Sequence, residues 1–266
     1  MRANLAARWP LASFIVVAAL LEVLVVAIRP GPDLMPFVLV LVPAVSAIVV
    51  AWAGGGRSAV RGLVSRITRW RVPVRWYVFA IGIPVLGTCL IDAAGIVLGQ
   101  ATLAEVVSAL TPAVFIVPLV VFLPAVFEEF GWRGFGVESA VDGGLSPAWA
   151  AVVVGASFFA MHLPLYLPGQ MYDGLALWPA PLTLFGYSAL LTWLYLGSGR
   201  SALITAIAHA SLNGLTPLTQ GLDSDWVWAT RGIVFGLIGL AFLVVLARSA
   251  RPVAVPAPAG QVGAVS

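Results

Sequence analysis

Long apolar runs constrain this chain more than any other feature of its sequence. Runs such as LASFIVVAALLEVLVVAI and AVFIVPLVVFLPAVF are nearly free of charge. A helix needs about 20 mostly apolar residues to cross the hydrocarbon core of a bilayer, and these runs approach that length. Only 9% of the residues are charged, whereas soluble domains average about 25%. We therefore expect a membrane protein and exclude a soluble globular domain.

The apolar runs predict an all-α fold, a polytopic membrane bundle of about eight transmembrane helices. A transmembrane β-barrel would need strands in which apolar and polar residues alternate, and a run such as PLVVFLPAVF does not alternate. The expected spans are 11–28, 36–53, 76–98, 111–140, 147–165, 181–198, 201–216 and 229–247.

This division predicts four parts along the chain. We expect N-terminal transmembrane helices in 1–110, a membrane core with the polar motifs in 111–216, and a C-terminal transmembrane helix in 217–250. The remaining residues, 251–266, are rich in Pro and Ala. They are predicted to be disordered because they cannot bury an apolar core.

The arginines predict the orientation of the chain. All 14 basic residues are Arg, and six of them lie between residues 57 and 75, after the second expected span. Because positive residues in short loops stay in the cytoplasm, we expect a plasma-membrane protein with both termini in the cytoplasm. The basic residues are too scattered to form a nucleic-acid-binding face. The one cysteine, Cys89, has no partner for a disulfide.

Ionisable residues inside apolar runs are costly to place in a membrane and are therefore candidates for function. Glu22 and Asp92 are isolated, and their sequence surroundings assign them no role. The other candidates fall in the second half of the chain and are Glu128, Glu129, Arg133, His162, His209 and, as an amide, Asn213.

Two adjacent carboxylates precede an arginine in the sequence VFEEFGWRGF. On a helix, Glu128 and Glu129 point about 100° apart, so only one of them is expected to face the two histidines while the other meets Arg133. Glu129 lies four residues before Arg133, the spacing of an ion pair on one helix face. One arginine cannot neutralise two carboxylates, so Glu128 is the spare acid, which must stay protonated, meet a metal or hold water. A purely structural ion network is the alternative.

The chain contains only two histidines, and the helical rise places both near the depth of the acidic pair. Glu128 is expected roughly 20 Å from the cytoplasmic end of its helix, and His162 roughly 22 Å from the same surface. His209 and Asn213 are four residues apart and share a helix face. A carboxylate, two imidazoles and an amide can deprotonate water, hold water or a metal, and stabilise an oxyanion.

These motifs, in this order, resemble those of the CPBP (Abi) family of intramembrane proteases. The resemblance lies between about residues 110 and 216, and the family includes type II CAAX prenyl endopeptidases and bacteriocin-processing or immunity proteins. Each motif alone is weak, and the three together are fairly specific. The motifs are Glu128-Glu129-x-x-x-Arg133, Phe158-x-x-x-His162 and His209-x-x-x-Asn213.

The resemblance implies a role for each residue of the motifs. Glu128 with His162 would activate the attacking water, and His209 with Asn213 would stabilise the tetrahedral oxyanion. The other motif residues would order the site and form its wall. These supporting residues are Glu129, Arg133 and Phe158.

The resemblance leaves the presence of a metal open. The family is usually classed with metalloproteases, and a zinc ion (Zn²⁺) could be held by Glu128, His162 and His209 as three protein ligands. The chain lacks the motif HExxH, however. A metal-free mechanism with a glutamate base would use the same residues.

The function implied by the resemblance is that of a hydrolase, a membrane-embedded endopeptidase of the metalloprotease type. It would cleave a membrane-associated or lipidated substrate without an acyl-enzyme. The expected partners are a peptide or prenylated protein substrate and the lipid bilayer. Two other functions stay open. They are a proton-coupled transporter, in which the same groups would relay protons, and a non-enzymatic immunity or scaffold protein on the same fold.

Overall fold

The computed structural model describes residues 4–215 and 224–249, and every regular element in these two ranges is a helix. This confirms the predicted all-α fold. The tail 251–266, predicted to be disordered, lies outside the described residues. The helices are α1 (Leu5–Arg8), α2 (Pro10–Ile28), α3 (Met35–Leu39), α4 (Leu41–Ile67), α5 (Val74–Val97), α6 (Leu103–Ser108), α7 (Ala113–Gly131), a π-helix (Trp132–Val137), α8 (Glu138–Asp142), α9 (Pro147–Ala160), a 3₁₀ turn (Leu163–Tyr166), α10 (Pro179–Gly197), α11 (Ala202–Gly214) and α12 (Asp225–Ser249).

Six helical segments of the described residues are long and apolar enough to cross a bilayer. The chain is therefore an integral membrane protein, but the predicted count of eight spans is not confirmed. The six segments are Pro10–Ile28, Met35–Ile67, Val74–Val97, Ala113–Asp142, Pro147–Tyr166 and Asp225–Ser249.

The other two predicted spans form α10 and α11, and both are enclosed by protein. In α10, 13 of 19 residues are buried, and in α11, 10 of 13 are buried. Helices that face their neighbours instead of lipid need less apolar character and less length. By contrast, α7 exposes large apolar side chains such as Phe115 and Leu119, which suit contact with lipid.

Glycines bring α7 into close contact with two neighbouring helices. A Cβ atom at Gly131 would clash with the backbone of Pro43 in α4, and one at Gly214 in α11 would clash with Pro118 in α7. Small residues at helix crossings allow such close packing in membrane proteins. This packing sets α11, which carries one histidine, beside the helix of the acidic pair.

The segment that the sequence predicted as one regular helix, 111–140, contains a π-helix directly after the acidic pair. The π-helix begins at Trp132 and is wider than an α-helix, and its glycines leave room for neighbouring side chains. A Cβ atom at Gly134 would lie 3.3 Å from Leu63, and one at Gly136 would lie 3.2 Å from Phe14. Such irregular turns inside helices occur frequently at functional sites.

The helix that leads to the first histidine ends earlier than predicted. The expected span was 147–165, but α9 ends at Ala160 and His162 precedes a 3₁₀ turn. Pro164 has no amide hydrogen to continue the α-helical bonding, which accounts for the change. His162 therefore lies at a break in the helix, where its side chain can bond to the free end of α9.

Candidate active site

One carboxylate oxygen connects a cation and a histidine from two different helices. Oε1 of Glu129 accepts hydrogen bonds from Nη1 of Arg133 and from Nδ1 of His209, each at 2.8 Å. Glu129 and Arg133 are fully buried, and His209 is nearly so. We call these three residues the Glu129 cluster.

The bond to His209 differs from the sequence-based expectation. The 100° separation on the helix predicted that Glu128 alone would face the histidines while Glu129 faced Arg133. The structure instead places Glu129 against both Arg133 and His209. Helix spacing could not reveal this contact because it joins residues 80 positions apart in the chain.

The Glu129 contact fixes which ring nitrogen of His209 carries hydrogen. An ionised carboxylate accepts hydrogen bonds and cannot donate them, so Nδ1 of His209 must be the protonated nitrogen in this bond. Nε2 is then the nitrogen that His209 can present to the cavity that it lines. A carboxylate on Nδ1 also stabilises the ring if Nε2 becomes protonated.

His162 is held in a similar way by a backbone carbonyl. Its Nδ1 lies 2.8 Å from the carbonyl oxygen of Phe158, near the end of α9. Because a carbonyl oxygen only accepts, Nδ1 donates and Nε2 of the neutral ring keeps a lone pair. His162 is partly buried and lines the same cavity as His209.

The ring of Phe158 packs between the two histidines. It meets His162 edge to face at a centroid distance of 4.7 Å and His209 at 5.9 Å. The guanidinium of Arg133 lies 5.4 Å from the same ring centroid. Phe158 thus forms an apolar wall that restricts the movement of both imidazoles.

The four residues expected to act on substrate line one cavity of about 280 Å³. Glu128 borders this cavity, and its carboxylate has no hydrogen bond to another residue in the described ranges, although the residue is buried. Other parts of the lining are apolar and come from α3, from the junction between α3 and α4, and from the middle of α7. They include Phe37, Leu39, Val40, Val121 and Pro124.

One residue of the cavity wall was missed as a site residue from the sequence. Arg231 lies in α12, outside the motifs on which the sequence-based prediction rests. The residue is 8% exposed and lines the cavity. Its Nη2 lies 3.4 Å from Oδ1 of Asn213. Asn213 is itself exposed where it lines the cavity. The available signal was an arginine within an otherwise apolar helix.

A three-ligand metal site does not form from the side chains as they are placed. No group of three His, Cys, Asp or Glu residues within 4–215 and 224–249 is arranged to hold a metal ion. The expected zinc ligands Glu128, His162 and His209 line one cavity without forming such a group. We therefore derive no chemical step through a metal.

A second acidic cluster, centred on the buried residue Glu138, lies further along the same helical segment and was not predicted from the sequence. Oε1 of Glu138 accepts from Arg66 at 2.7 Å and from Arg200 at 2.8 Å, and Oε2 accepts from the hydroxyl of Tyr195 at 2.8 Å. Arg200 also pairs with Asp142 at 2.9 Å. We call these five residues the Glu138 network. It joins α4, α8 and α10 to the loop before α11.

Comparison with known protein families matches residues 109–215 to the family described as type II CAAX prenyl endopeptidase Rce1-like. This confirms the resemblance that the motifs predicted. All the motif residues lie within the matched segment, whereas α12 with Arg231 lies outside it. No curated protein matches the chain.

Proposed function

We propose that this chain is an intramembrane endopeptidase that hydrolyses a peptide bond with an activated water molecule. The observation that carries the proposal is the cavity in which Glu128 lies beside two histidines of fixed orientation. The family similarity supports proteolysis by an enzyme of the CAAX protease type.

Glu128 and His162 have the groups needed to activate water. Glu128 offers a carboxylate, and the neutral ring of His162 offers the lone pair of Nε2 because Nδ1 donates to Phe158. A water molecule that donates one hydrogen to each acceptor directs its own lone pair away from both. Glu128 takes the proton as the water oxygen bonds to the carbonyl carbon, and it returns this proton to the leaving nitrogen when the C–N bond breaks.

His209 and Asn213 would stabilise the negative charge that develops on the carbonyl oxygen. Asn213 would donate from Nδ2, and His209 would donate from a protonated Nε2. Glu129 on Nδ1 favours this imidazolium form. With His209 protonated, two carboxylates face two cations, His209 and Arg133, and the charge of the site is balanced.

The apolar wall of the cavity suits an apolar substrate. The first helices contribute Phe37, Leu39 and Val40 to this wall. A peptide segment buried there must have apolar side chains or a lipid group, because burial of unpaired polar groups is costly. We therefore propose a membrane-associated or prenylated protein as the substrate.

The proposed function is tested by profiling new protein N-termini in membranes that contain the wild-type protein or a variant. Glu128→Gln removes the base and keeps the shape of the side chain. Glu138→Gln is the matched control, since it makes the same change ten residues later in the chain. New N-termini are expected with wild type and Glu138→Gln and not with Glu128→Gln. Equal cleavage by Glu128→Gln would contradict the mechanism, and no cleavage by wild type would contradict proteolysis.

We propose a metal-free reaction, and the zinc site implied by the resemblance stays a prediction that chelation tests. Purified protein treated with a strong chelator is expected to retain its activity, with little zinc found by elemental analysis. Loss of activity that added zinc restores would instead support ligation by Glu128, His162 and His209.

We further propose that the protein resides in the plasma membrane with both termini in the cytoplasm. The arginines between residues 57 and 75 support this orientation, since no acidic residue lies in that stretch. Reporter fusions after Ser266 and near residue 175 should lie on opposite sides of the membrane, inside and outside respectively. Reporters on the same side would contradict the proposed topology.

A further inference from the structure

The last helix contributes to the site from outside the segment that matches the protease family. Arg231 lies in α12 and is buried, while the matched segment ends at residue 215. The hydroxyl oxygen of Tyr187 in α10 accepts bonds from Nη2 of Arg231 at 2.7 Å and from Nε at 3.0 Å. The guanidinium also packs 6.0 Å from the ring centroid of Trp228. Its position is therefore well defined.

The same guanidinium contacts a residue that the proposed mechanism uses. Nη2 of Arg231 lies 3.4 Å from the side chain of Asn213. Because a guanidinium only donates hydrogen bonds, the amide atom that faces it must be the oxygen Oδ1. The other amide atom, Nδ2, then points away from Arg231.

This orientation matters because the side-chain amide can rotate by about 180°, which exchanges the positions of Oδ1 and Nδ2. With Nδ2 towards the cavity, Asn213 offers two hydrogens to a developing oxyanion. With Oδ1 in that place, it would repel the oxyanion. A neighbouring cation that binds Oδ1 selects the first orientation.

We propose that Arg231, held by Tyr187, is a positioning residue that orients the Asn213 amide for oxyanion stabilisation. The proposal rests on the proposed protease function for its catalytic meaning. The orientation of the amide itself can be measured without any activity. Arg231 acts through Asn213, so its effect on catalysis should disappear when the amide is absent.

The composition of the chain permits a direct measurement of the amide. Asn4 and Asn213 are its only asparagines, so protein labelled with ¹⁵N-asparagine gives two side-chain amide signals. Asn213→Ala identifies the signal of Asn213. We expect Arg231→Gln to shift or broaden this signal, while the signal of Asn4 stays unchanged.

A matched pair of tyrosine variants in α10 supplies the control. Tyr187→Phe removes the hydroxyl that holds Arg231, and Tyr195→Phe removes a hydroxyl that bonds to Glu138 instead. Only Tyr187→Phe should alter the Asn213 signal. If Arg231→Gln does not fold, Arg231→Lys replaces it, because a single ammonium cannot reproduce the contacts to both Tyr187 and Asn213.

Kinetics then test the catalytic consequence. Asn213→Ala removes an oxyanion donor and is expected to lower kcat roughly 10²–10³-fold. Arg231→Gln should lower kcat about tenfold or more, with KM nearly unchanged, since the amide contacts the transition state more strongly than the substrate. In the Asn213→Ala background, Arg231→Gln should have no further effect on kcat.

The outcomes separate the inference from the proposed function. An unchanged Asn213 signal in the folded Arg231 variant overturns the inference, whether or not the protein cleaves substrate. Multiplicative kinetic effects in the double variant also overturn it, since they would mean that Arg231 acts independently of Asn213. A shifted Asn213 signal in a protein that cleaves no substrate would support the inferred orientation of the amide and contradict the proposed protease function.

Discussion

The acids of the Glu129 cluster and of the Glu138 network lie on one helical segment, Ala113–Asp142, and the two sites differ in how their carboxylates are hydrogen-bonded. In the network, two acids meet two arginines, and both oxygens of Glu138 are bonded. Beside the Glu129 cluster lies a second acid, Glu128, whose carboxylate has no hydrogen bond to any other residue in the described ranges. Only in the Glu138 network does every acid therefore have a hydrogen-bonded partner.

This difference indicates a structural role for the Glu138 network and a catalytic role for Glu128. Burying a carboxylate that has no hydrogen-bond partner is costly, and a group that serves only stability has no reason to carry that cost. The Glu138 network avoids the cost by pairing, as expected for a structural connection between helices. Glu128 retains it at a cavity lined by both histidines, as expected for a residue that must accept a proton.

The largest expected effect is a loss of turnover in Glu128→Gln. Glutamine keeps the shape of the side chain but cannot accept the proton of water, so the rate should fall at least about 10²–10⁴-fold. Glu138→Gln should keep its turnover per folded molecule. Both variants are measured with reconstituted protein and a peptide from the cleaved substrate. Similar effects of Glu128→Gln and Glu138→Gln on turnover would contradict the proposed difference in role between these two acids.

The next effect is a loss of stability in Arg133→Ala. This change leaves fully buried Glu129 without its arginine, and breaking a buried pair costs roughly 3–5 kcal/mol. Arg200→Ala is the matched change in the Glu138 network. The side chain of Arg200 is 39% exposed, so solvent screens its ion pairs and its loss should cost less. Folded yield and thermal unfolding of the purified variants would measure both, and equal losses would contradict this ranking.

An intermediate effect is expected for Glu129→Gln. The amide oxygen can still accept one hydrogen bond, but the charge that pairs with Arg133 and favours protonated His209 is lost. We expect reduced stability together with partial turnover, since the base Glu128 remains. Turnover is normalised to folded protein measured by size-exclusion chromatography. A loss as complete as that of Glu128→Gln would mean that Glu129 itself takes the proton.

Local spacing explains how much of the site the sequence could predict. The pair of Glu129 and Arg133 is four residues apart on a helix, so elementary geometry indicates it. The bond from His209 to Glu129 and the contact of Arg231 with Asn213 join different helices. Their geometry depends on how the helices cross, which no local pattern of residues specifies.

Hydropathy likewise predicted the general fold but not all of its details. Apolar runs identified a helical membrane bundle because lipid-facing helices must be apolar along their length. Hydropathy could not distinguish a span from an enclosed helix such as α11, which is 13 residues long. The π-helix also escaped prediction because its glycines, Gly134 and Gly136, contact side chains from other helices.

The smallest expected effect is that of Tyr195→Phe, which removes one donor from the Glu138 network. The hydroxyl of Tyr195 donates to Oε2 of Glu138, while both arginines bind Oε1. Its removal leaves one oxygen of a buried carboxylate without this hydrogen bond, at a cost of about 1–3 kcal/mol. In a chain of this size each kcal/mol corresponds to about 2–4 °C in Tm. We expect a lower apparent Tm with unchanged kcat, because Tyr195 does not line the cavity of Glu128 and the histidines. A fall in kcat per folded molecule would show that the Glu138 network affects catalysis, and the separation of the two acidic clusters would then be wrong.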